Sequence, residues 1–249
     1  MQWIQASWPA PKQVHALTTT RLGGVSNAPF ASLNLGDHVD DLSESVAKNR
    51  VLLLQSLGLV RSPQWLQQVH GTDVVEASDN GLIPEADACW TVETGLACIV
   101  MTADCLPVFF TNSSGTRVAV AHAGWRGLLA GILEKTLQQF NNTDDVIAWL
   151  GPAIGPKAFE VGDEVRAAFL SQNLENADAF EATGVPEKYM ADLYQLARMR
   201  LKQAGVVSVS GGDYCTFNDA DKFFSYRRDG MTGRMASLIW IEDMRVPLK

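Results

Sequence analysis

The sequence predicts a mixed fold of helices and strands, α/β or α+β in class, over a single domain at residues 1–249. Residues 65–122 contain several short apolar segments separated by turn residues, which is typical of strands. Residues 43–57 and 189–204 instead repeat apolar side chains three or four positions apart, which is typical of helices. No linker, repeat or low-complexity segment divides the chain, so we expect one domain.

The predicted elements alternate irregularly along the chain, which argues against a simple βαβ repeat. Helices are expected at residues 43–57, from Arg126 to Phe140, and at 189–204, with Gly58 and Gly205 ending the first and the last. Strands are expected at residues 14–20, 65–69, 73–76, 88–91, 96–102, 106–111, 116–122 and 234–241.

Composition excludes several classes of function. Apolar residues make up 47% of the 249-residue chain, enough to bury a core without metals or disulfides. A net charge of -8 argues against binding nucleic acid or an anionic membrane. The apolar stretch at residues 96–110 is too short to span a bilayer, and the N-terminus does not resemble a signal peptide. We therefore expect a cytoplasmic protein with four reduced cysteines and small-molecule partners.

A predicted β-hairpin indicates a metal site. Residues 112–115 form a turn between two apolar strands, and pairing Thr111 with Thr116 also places Cys105 opposite His122. The two Cβ atoms would then lie about 4.5–5.5 Å apart. That spacing suits a thiolate and an imidazole that share one tetrahedral ion.

Histidine and cysteine also occur in strands for purely structural reasons. A histidine at a strand end is often a satisfied polar residue, and a lone cysteine is often a small buried apolar side chain. Cys89 and Cys98 lie within apolar strand patterns and are expected to be structural cysteines. Cys215 lies in a loop and could be structural or functional. Cys105 with His122 would also suit a cysteine nucleophile and its base.

Two glycine-containing turns suggest binding of an anion. Residues 123–127 lead into a predicted helix, where free backbone N–H groups attract anions, and Arg126 either adds charge or is an ordinary surface residue. Arg21 precedes Gly23 and Gly24, and its guanidinium is a candidate bidentate clamp for phosphate. A Gly-Gly pair alone indicates only a turn.

Seven motifs spread over nearly the whole chain resemble those of the bacterial YfiH-like family. That family was long labelled multicopper polyphenol oxidase or laccase domain and is now regarded as zinc-dependent purine nucleoside phosphorylases. The matching segments are TRLGGVS at 20–26, SLNLG at 32–36, QVHG at 68–71, TADCLPV at 102–108, HAGWRG at 122–127, LGPAIGP at 150–156 and FSYRRD at 224–229.

The resemblance implies that His70, Cys105 and His122 bind one Zn²⁺ per chain, and that Asn34 contacts the substrate. It implies mixed β-sheets sandwiched between helices, a fold related to cysteine hydrolases. It also implies phosphorolysis of adenosine, inosine and methylthioadenosine, with purine nucleosides and phosphate as ligands, and adenosine deamination.

Three protein ligands would leave an open metal position, which is typical of catalytic sites. The ion could activate water for deamination or hold phosphate for phosphorolysis, with Arg21 stabilising charge. Asp104 either orients a ligand and moves protons or caps a turn.

Rival functions remain open. A cysteine- or metal-dependent amide hydrolase that edits peptidoglycan precursors would use Cys105 as nucleophile. A multicopper oxidase needs many more histidines than the four present, although a His₂Cys set can bind one Cu²⁺ in vitro and support polyphenol oxidation. A zinc-stabilised binding module is the non-enzymatic alternative.

Overall fold

A computed structural model describes residues 1–243. Its strands are β1 Trp3–Gln5, β2 Val14–Thr19, β3 Val74–Glu76, β4 Ala88–Thr91, β5 Cys98–Thr102, β6 Leu106–Asn112, β7 Val118–Ala123, β8 Val146–Leu150, β9 Glu160–Gly162, β10 Phe180–Ala182, β11 Lys188–Ala191, β12 Ser208–Gly211 and β13 Met235–Ile241. Its helices are α1 Ser43–Leu57, α2 Trp125–Ala130, α3 Ile132–Leu137, α4 Asp163–Gln172, α5 Leu193–Gln203 and α6 Tyr226–Asp229, with 3₁₀ turns at Thr143–Asp145 and Leu174–Ala179.

The strands form three sheets. Four antiparallel strands follow the order β1-β2-β13-β5, and six strands follow the order β12-β8-β6-β7-β4-β3. The larger sheet is mixed, because β12 runs parallel to β8 and β3 parallel to β4, while the pairs between them are antiparallel. A small antiparallel sheet has the order β10-β11-β9.

The two larger sheets pack face to face between helices. Residues of β2, β5 and β13 share an apolar core with residues of β6, β7 and β8. On its outer face the four-stranded sheet packs against α1 through Leu53 and Leu57. The outer face of the six-stranded sheet packs against α2, α3 and α5. The expected fold of mixed sheets sandwiched between helices is confirmed.

The alternation of side chains along β6 and β7 determines which face each residue occupies. Val118 and Val120 point into the core between the sheets, whereas Ala119 and Ala121 point toward the helices. Because alternate residues of a strand share a face, His122 lies on the same side as Val118 and Val120. The end of β7 therefore presents His122 where the core between the sheets ends.

The predicted register of this hairpin was wrong by two residues. His122 pairs with Pro107 rather than Cys105, and Thr111 pairs with Val118. The Asn112 side chain is the reason, because its Oδ1 accepts hydrogen bonds from the amides of Thr116 and Arg117 and closes a longer loop. A shift of two residues leaves every side chain on the same face of the sheet. The prediction that Cys105 and His122 lie close together therefore still holds.

Several predicted boundaries were also wrong. Residues 65–69 form no strand; the Gln68 side-chain amide pairs instead with the Met101 backbone of β5, at 2.8 and 2.7 Å. Residues 188–191 form β11, and helix α5 starts later because the Asp192 carboxylate caps it by accepting from the Gln195 amide. Helix α4 was not predicted at all.

No helix within residues 1–243 is long and apolar enough to cross a membrane. The assignment of residues 1–249 to one domain stays a prediction, and its last six residues lie outside the described part of the chain.

Gly131 divides the helix that was predicted after Arg126 into α2 and α3. Its φ of 101° is left-handed, and its amide caps α2 by donating to the carbonyls of Gly127 and Leu128. Gly131→Ala should lower the free energy of unfolding by roughly 1–2 kcal/mol, because an L side chain strains this backbone. Gly131→Asn is the matched control and should lose less, since asparagine tolerates left-handed conformations better. Chemical denaturation measures both, and equal stability of Gly131→Ala and wild type would contradict the argument.

Candidate metal centre and its cavity

The structure brings together His70, Cys105 and His122. Their candidate ligand atoms all lie within 4.8 Å of one another, and Cys105 Sγ is 3.7 Å from His70 Nε2. A tetrahedral ion with bonds of about 2.0–2.3 Å places its ligand atoms roughly 3.5 Å apart. The donor set and its spacing therefore fit one metal ion, with a fourth position left for a non-protein ligand.

His70 lies at a tight bend whose backbone is held by a buried carboxylate. Its φ of 60° is unusual for a residue other than glycine. The Asp87 carboxylate accepts hydrogen bonds from the amides of Val69, His70 and Gly71, at 3.2, 3.0 and 2.6 Å. These three bonds set the direction in which the bend presents the imidazole.

The same carboxylate orients His122. The Nδ1–H of His122 donates to Asp87 Oδ1 at 2.7 Å, and the His122 amide donates to the Asp87 carbonyl at the same distance. The hydrogen bond occupies Nδ1, so Nε2 is the nitrogen available to a metal ion. Asp87 thus supports two of the three candidate ligands from outside the ligand set.

Asp87 was not predicted from the sequence. It is fully buried just before β4, between Ala86 and Ala88. An acidic residue flanked by alanines next to a buried strand is a signal that a charge has partners nearby, since unpaired buried carboxylates are costly. The sequence does not show which residues those partners are.

Gly124 is required by the closeness of the candidate ligands. A Cβ atom at this position would lie 2.9 Å from Cys105 Sγ and 2.9 Å from His70 Cδ2. Both distances are shorter than van der Waals contact, and both neighbours are held in the cluster. The glycine that follows His122 and Ala123 therefore lets the thiol and imidazole converge.

Cys105 and His122 shift each other's proton affinity. Burial alone would raise the pKa of the Cys105 thiol, but the facing imidazoles of His122 and His70 lower it to about 6. Burial alone would lower the pKa of His122, but Cys105 and the Asp87 carboxylate raise it to about 9. The cluster thus favours a thiolate, the form of cysteine that binds metals and acts as a nucleophile.

Asp104 precedes Cys105 in a left-handed conformation, with φ at 95°. Its Oδ1 accepts from the Thr216 hydroxyl at 2.6 Å, and its Oδ2 accepts from the Arg227 amide at 2.7 Å. Both oxygens are therefore engaged with the polypeptide, which ties the turn before β6 to two distant segments. This arrangement suits orientation of Cys105, and a proton-transfer role for Asp104 stays a prediction.

A cavity of about 600 Å³ opens over the candidate ligands. Its aromatic lining consists of Trp125, Phe159 and Tyr226, and its cationic lining includes Arg126, Arg227 and Arg234. The volume lies in the range of small-molecule sites, which are typically about 300–1,000 Å³. Of the predicted substrate contacts, Arg126 reaches this cavity.

The structure places Arg21 and Asn34 away from the lining of that cavity. The Arg21 guanidinium donates to the carbonyls of Ala31 and Ala220, at 3.0 and 3.1 Å, and lies over the Phe224 ring. Asn34 is fully buried, and its side chain bonds to neighbouring segments. Direct substrate contact by either residue stays a prediction, and both visibly organise the loop that contains them.

The remaining histidines and cysteines form no second metal site in the part of the chain described. His15 stacks on Trp240, and His70, Cys105 and His122 are the one group within residues 1–243 that could hold an ion. Cys89 and Cys98 are buried, as expected of structural cysteines, and burial raises the pKa of Cys98. Residues 1–243 therefore offer no second group of ligands for a cluster of several copper ions.

Comparison with known proteins agrees with the motifs. The family described as multi-copper polyphenol oxidoreductase laccase matches residues 15–242. A relative named purine nucleoside phosphorylase YfiH, from Escherichia coli, is 52% identical over 240 residues, covering 96% of this chain and 98% of that protein. The chain belongs to the YfiH-like family.

Other YfiH-like proteins are also similar over their full lengths. A Pseudomonas aeruginosa relative named purine nucleoside phosphorylase is 54% identical over 242 residues, covering 97% of this chain and 99% of that protein. A solved Neisseria meningitidis structure superposes with a TM-score of 0.94 at 50% identity, covering 98% of this chain and all of that one. Fold and family thus agree between sequence and structure.

In this YfiH-like protein, Asp87→Asn should weaken metal binding by about 10- to 100-fold. An amide group in place of one carboxylate oxygen would face N–H donors, from the 69–71 bend or from His122. Competition with a chromogenic zinc chelator measures the affinity. Asp73→Asn, at an exposed carboxylate just before β3, is the matched control and should leave the affinity unchanged. Equal affinities for Asp87→Asn and wild type would refute the orienting role of Asp87.

The lowered pKa of Cys105 predicts its reactivity in metal-depleted protein. Because the thiolate is the reactive form, alkylation by iodoacetamide should rise with pH and reach half its maximum near pH 6. The buried Cys89 and Cys98 should not react, and a Cys215→Ser background removes the other half-buried thiol. Mass spectrometry of the Cys105 peptide gives the rate, and a midpoint near that of an ordinary thiol would contradict the assigned electrostatics.

Proposed function

We propose that this protein is a zinc-dependent purine nucleoside phosphorylase that acts on adenosine, inosine and methylthioadenosine and also deaminates adenosine. The observation that carries the proposal is the His₂Cys group beneath a cavity with aromatic and cationic walls. The names of the YfiH-like relatives support the same reaction class. A cytoplasmic location accords with four unpaired cysteines.

The ligands we assign to zinc are His70, Cys105 and His122, with one ion per chain. Zinc, when bound, supplies a Lewis acid that can polarise an oxygen or activate water. We prefer zinc to copper because thiolate and imidazole in an open tetrahedral set are typical of catalytic zinc sites. A copper ion could occupy the same ligands in vitro, since copper competes well for them.

The cavity suits both substrates. Trp125, Phe159 and Tyr226 offer apolar surfaces for a purine ring, and the arginines offer charge for phosphate. In phosphorolysis an oxygen of hydrogen phosphate bonds to C1′ of the ribose while the bond from C1′ to the base nitrogen breaks. The electron pair leaves with the base nitrogen, which gains the proton that hydrogen phosphate gives up.

The chain's own residues position these groups. Arg126 lies over the Trp125 ring at 4.5 Å and extends the cationic wall beside the aromatic one. Asp104 orients Cys105 through its bonds to Thr216 and Arg227. Arg21, which its glycine-rich turn suggests as a phosphate clamp, and Asn34, which the resemblance implies as a substrate contact, both form hydrogen bonds within the loop at residues 21–36.

A cysteine-dependent amide hydrolase acting on peptidoglycan precursors is the second candidate. The short distance from Cys105 Sγ to His70 Nε2 and the lowered pKa of Cys105 would serve a nucleophile equally well. A zinc-stabilised binding module and a copper-dependent polyphenol oxidase are weaker alternatives. A binding module would make no catalytic use of the cavity. A copper-dependent polyphenol oxidase would have one possible metal-binding group among the described residues.

Two substitutions at Cys105 separate the phosphorylase from the hydrolase. Cys105→Asp keeps a metal ligand, so it should bind zinc more weakly yet recover part of its nucleoside turnover in excess zinc. Cys105→Ala is the matched control and should recover at least tenfold less. Zinc content is measured first, and release of free purine is then measured with and without phosphate.

Other results of these experiments would support one of the alternative functions. Turnover of amide substrates by wild type but by neither variant at any zinc concentration would establish Cys105 as a nucleophile. Loss of secondary structure on chelation, measured by circular dichroism, would favour the zinc-stabilised module, because the large apolar core should fold without metal. No phosphate-dependent release of purine from any of the three nucleosides by the zinc-loaded wild type would overturn the proposal.

A further inference from the structure

The charges that line the cavity are unlike those of the whole protein. The chain carries a net charge of -8, yet Arg126, Arg227 and Arg234 line the cavity together with Asp104 as its one carboxylate among the described residues. Both oxygens of Asp104 already accept hydrogen bonds from the protein. The cavity therefore has cationic groups in excess and suits an anionic ligand.

The three arginines differ in how firmly they are held. Arg126 and Arg227 are exposed, and Arg227 donates through Nη1 to the Glu160 carbonyl at 2.8 Å. Arg234 is half-buried, and its Nη1 donates to the carbonyls of Thr232 and Gly233, at 2.9 and 3.1 Å. Arg234 is thus the arginine whose side chain the fold fixes most firmly.

The second edge of the Arg234 guanidinium, formed by Nε and Nη2, can still donate hydrogen bonds to a ligand. Within residues 1–243, Nε and Nη2 of Arg234 donate no hydrogen bond to oxygen, nitrogen or sulfur. These two nitrogens form the edge that binds two oxygens of a phosphate side by side. A held guanidinium with a free edge, lining a cavity, is a preorganised anion ligand.

Asn34 accounts for the position of Arg234. Asn34 Oδ1 accepts from the Arg234 amide at 2.9 Å, and Asn34 Nδ2 donates to Asp41 Oδ2 at 2.9 Å. A Cβ at Gly36 would lie 2.8 Å from Arg234 Cγ, so the glycine makes room for the arginine stem. The SLNLG motif at 32–36 therefore forms a seat for Arg234 at the start of β13.

We propose that Arg234 is the side chain that binds inorganic phosphate, and that Asn34 and Gly36 position it. The assignment rests on the proposed phosphorylase function and names the phosphate ligand of that same cavity. Arg234 and the candidate metal ligands line one cavity, so a phosphate bound by the guanidinium would share that cavity with His70, Cys105 and His122. Asn34 is then a positioning residue rather than a substrate contact.

The test compares Arg234→Met and Arg234→Lys with Arg166→Met, a control on α4 whose arginine pairs with Asp163 at 3.8 Å. Calorimetry of the purified protein with inorganic phosphate should show at least tenfold weaker binding for Arg234→Met. The phosphate affinity of Arg234→Lys should lie between those of Arg234→Met and wild type, because lysine keeps the charge but loses the two-nitrogen edge. The KM for phosphate should rise in parallel, while the KM for inosine and the zinc content stay near wild type.

Each outcome decides something. Unchanged phosphate binding in folded Arg234→Met, with phosphorolysis intact, would overturn this assignment and leave the proposed function standing. Phosphate binding that depends on Arg234 without phosphorolysis of any nucleoside would refute the function but keep the anion site. If Arg234→Met does not fold, Arg234→Lys carries the test. Binding of adenosine 5′-monophosphate through Arg234, without binding of inorganic phosphate, would also overturn the assignment, since the site would then recognise a nucleotide.

Discussion

The candidate centre depends on the hydrogen bonds of one buried carboxylate, that of Asp87. It accepts from three consecutive amides around His70 and from the His122 imidazole, so it joins two segments that are far apart in sequence. A buried charge without partners would cost several kcal/mol, and these four donors compensate it. The same bonds therefore stabilise the fold and orient two candidate metal ligands.

The two carboxylates closest to the candidate ligands share a property that matters for anion binding. Asp87 and Asp104 direct all four oxygens at protein donors, either N–H groups or a hydroxyl. Asp104 nevertheless still attracts the Arg234 guanidinium, since Cys105 and Asp104 both raise the pKa of Arg234 while burial lowers it. An acidic protein can thus contain a cationic site, because three arginines line this cavity with one carboxylate among the described residues.

The sequence pattern predicted a helix or strand correctly where the residues that define its face and its end lie within the segment itself. Helix α1 has the predicted bounds because its apolar face and Gly58, with a left-handed φ of 67°, both lie within a few turns. The prediction was wrong where a distant partner decides the structure. Gln68 takes the place of a strand ladder only because Met101 lies opposite, and the hairpin register follows from the side chain of Asn112.

The sequence by itself determined the fold class, the family, and the proximity of Cys105 and His122, because strand periodicity keeps a face through a shift of two residues. The place of His70 beside them came only from family resemblance. Tertiary structure alone revealed Asp87, the seat of Arg234 on Asn34, and the bonds that hold Arg21 away from the cavity. The physical reason is that these contacts join residues up to 200 positions apart. Periodicity describes which way a side chain points along its own strand or helix, and only packing decides what it meets there.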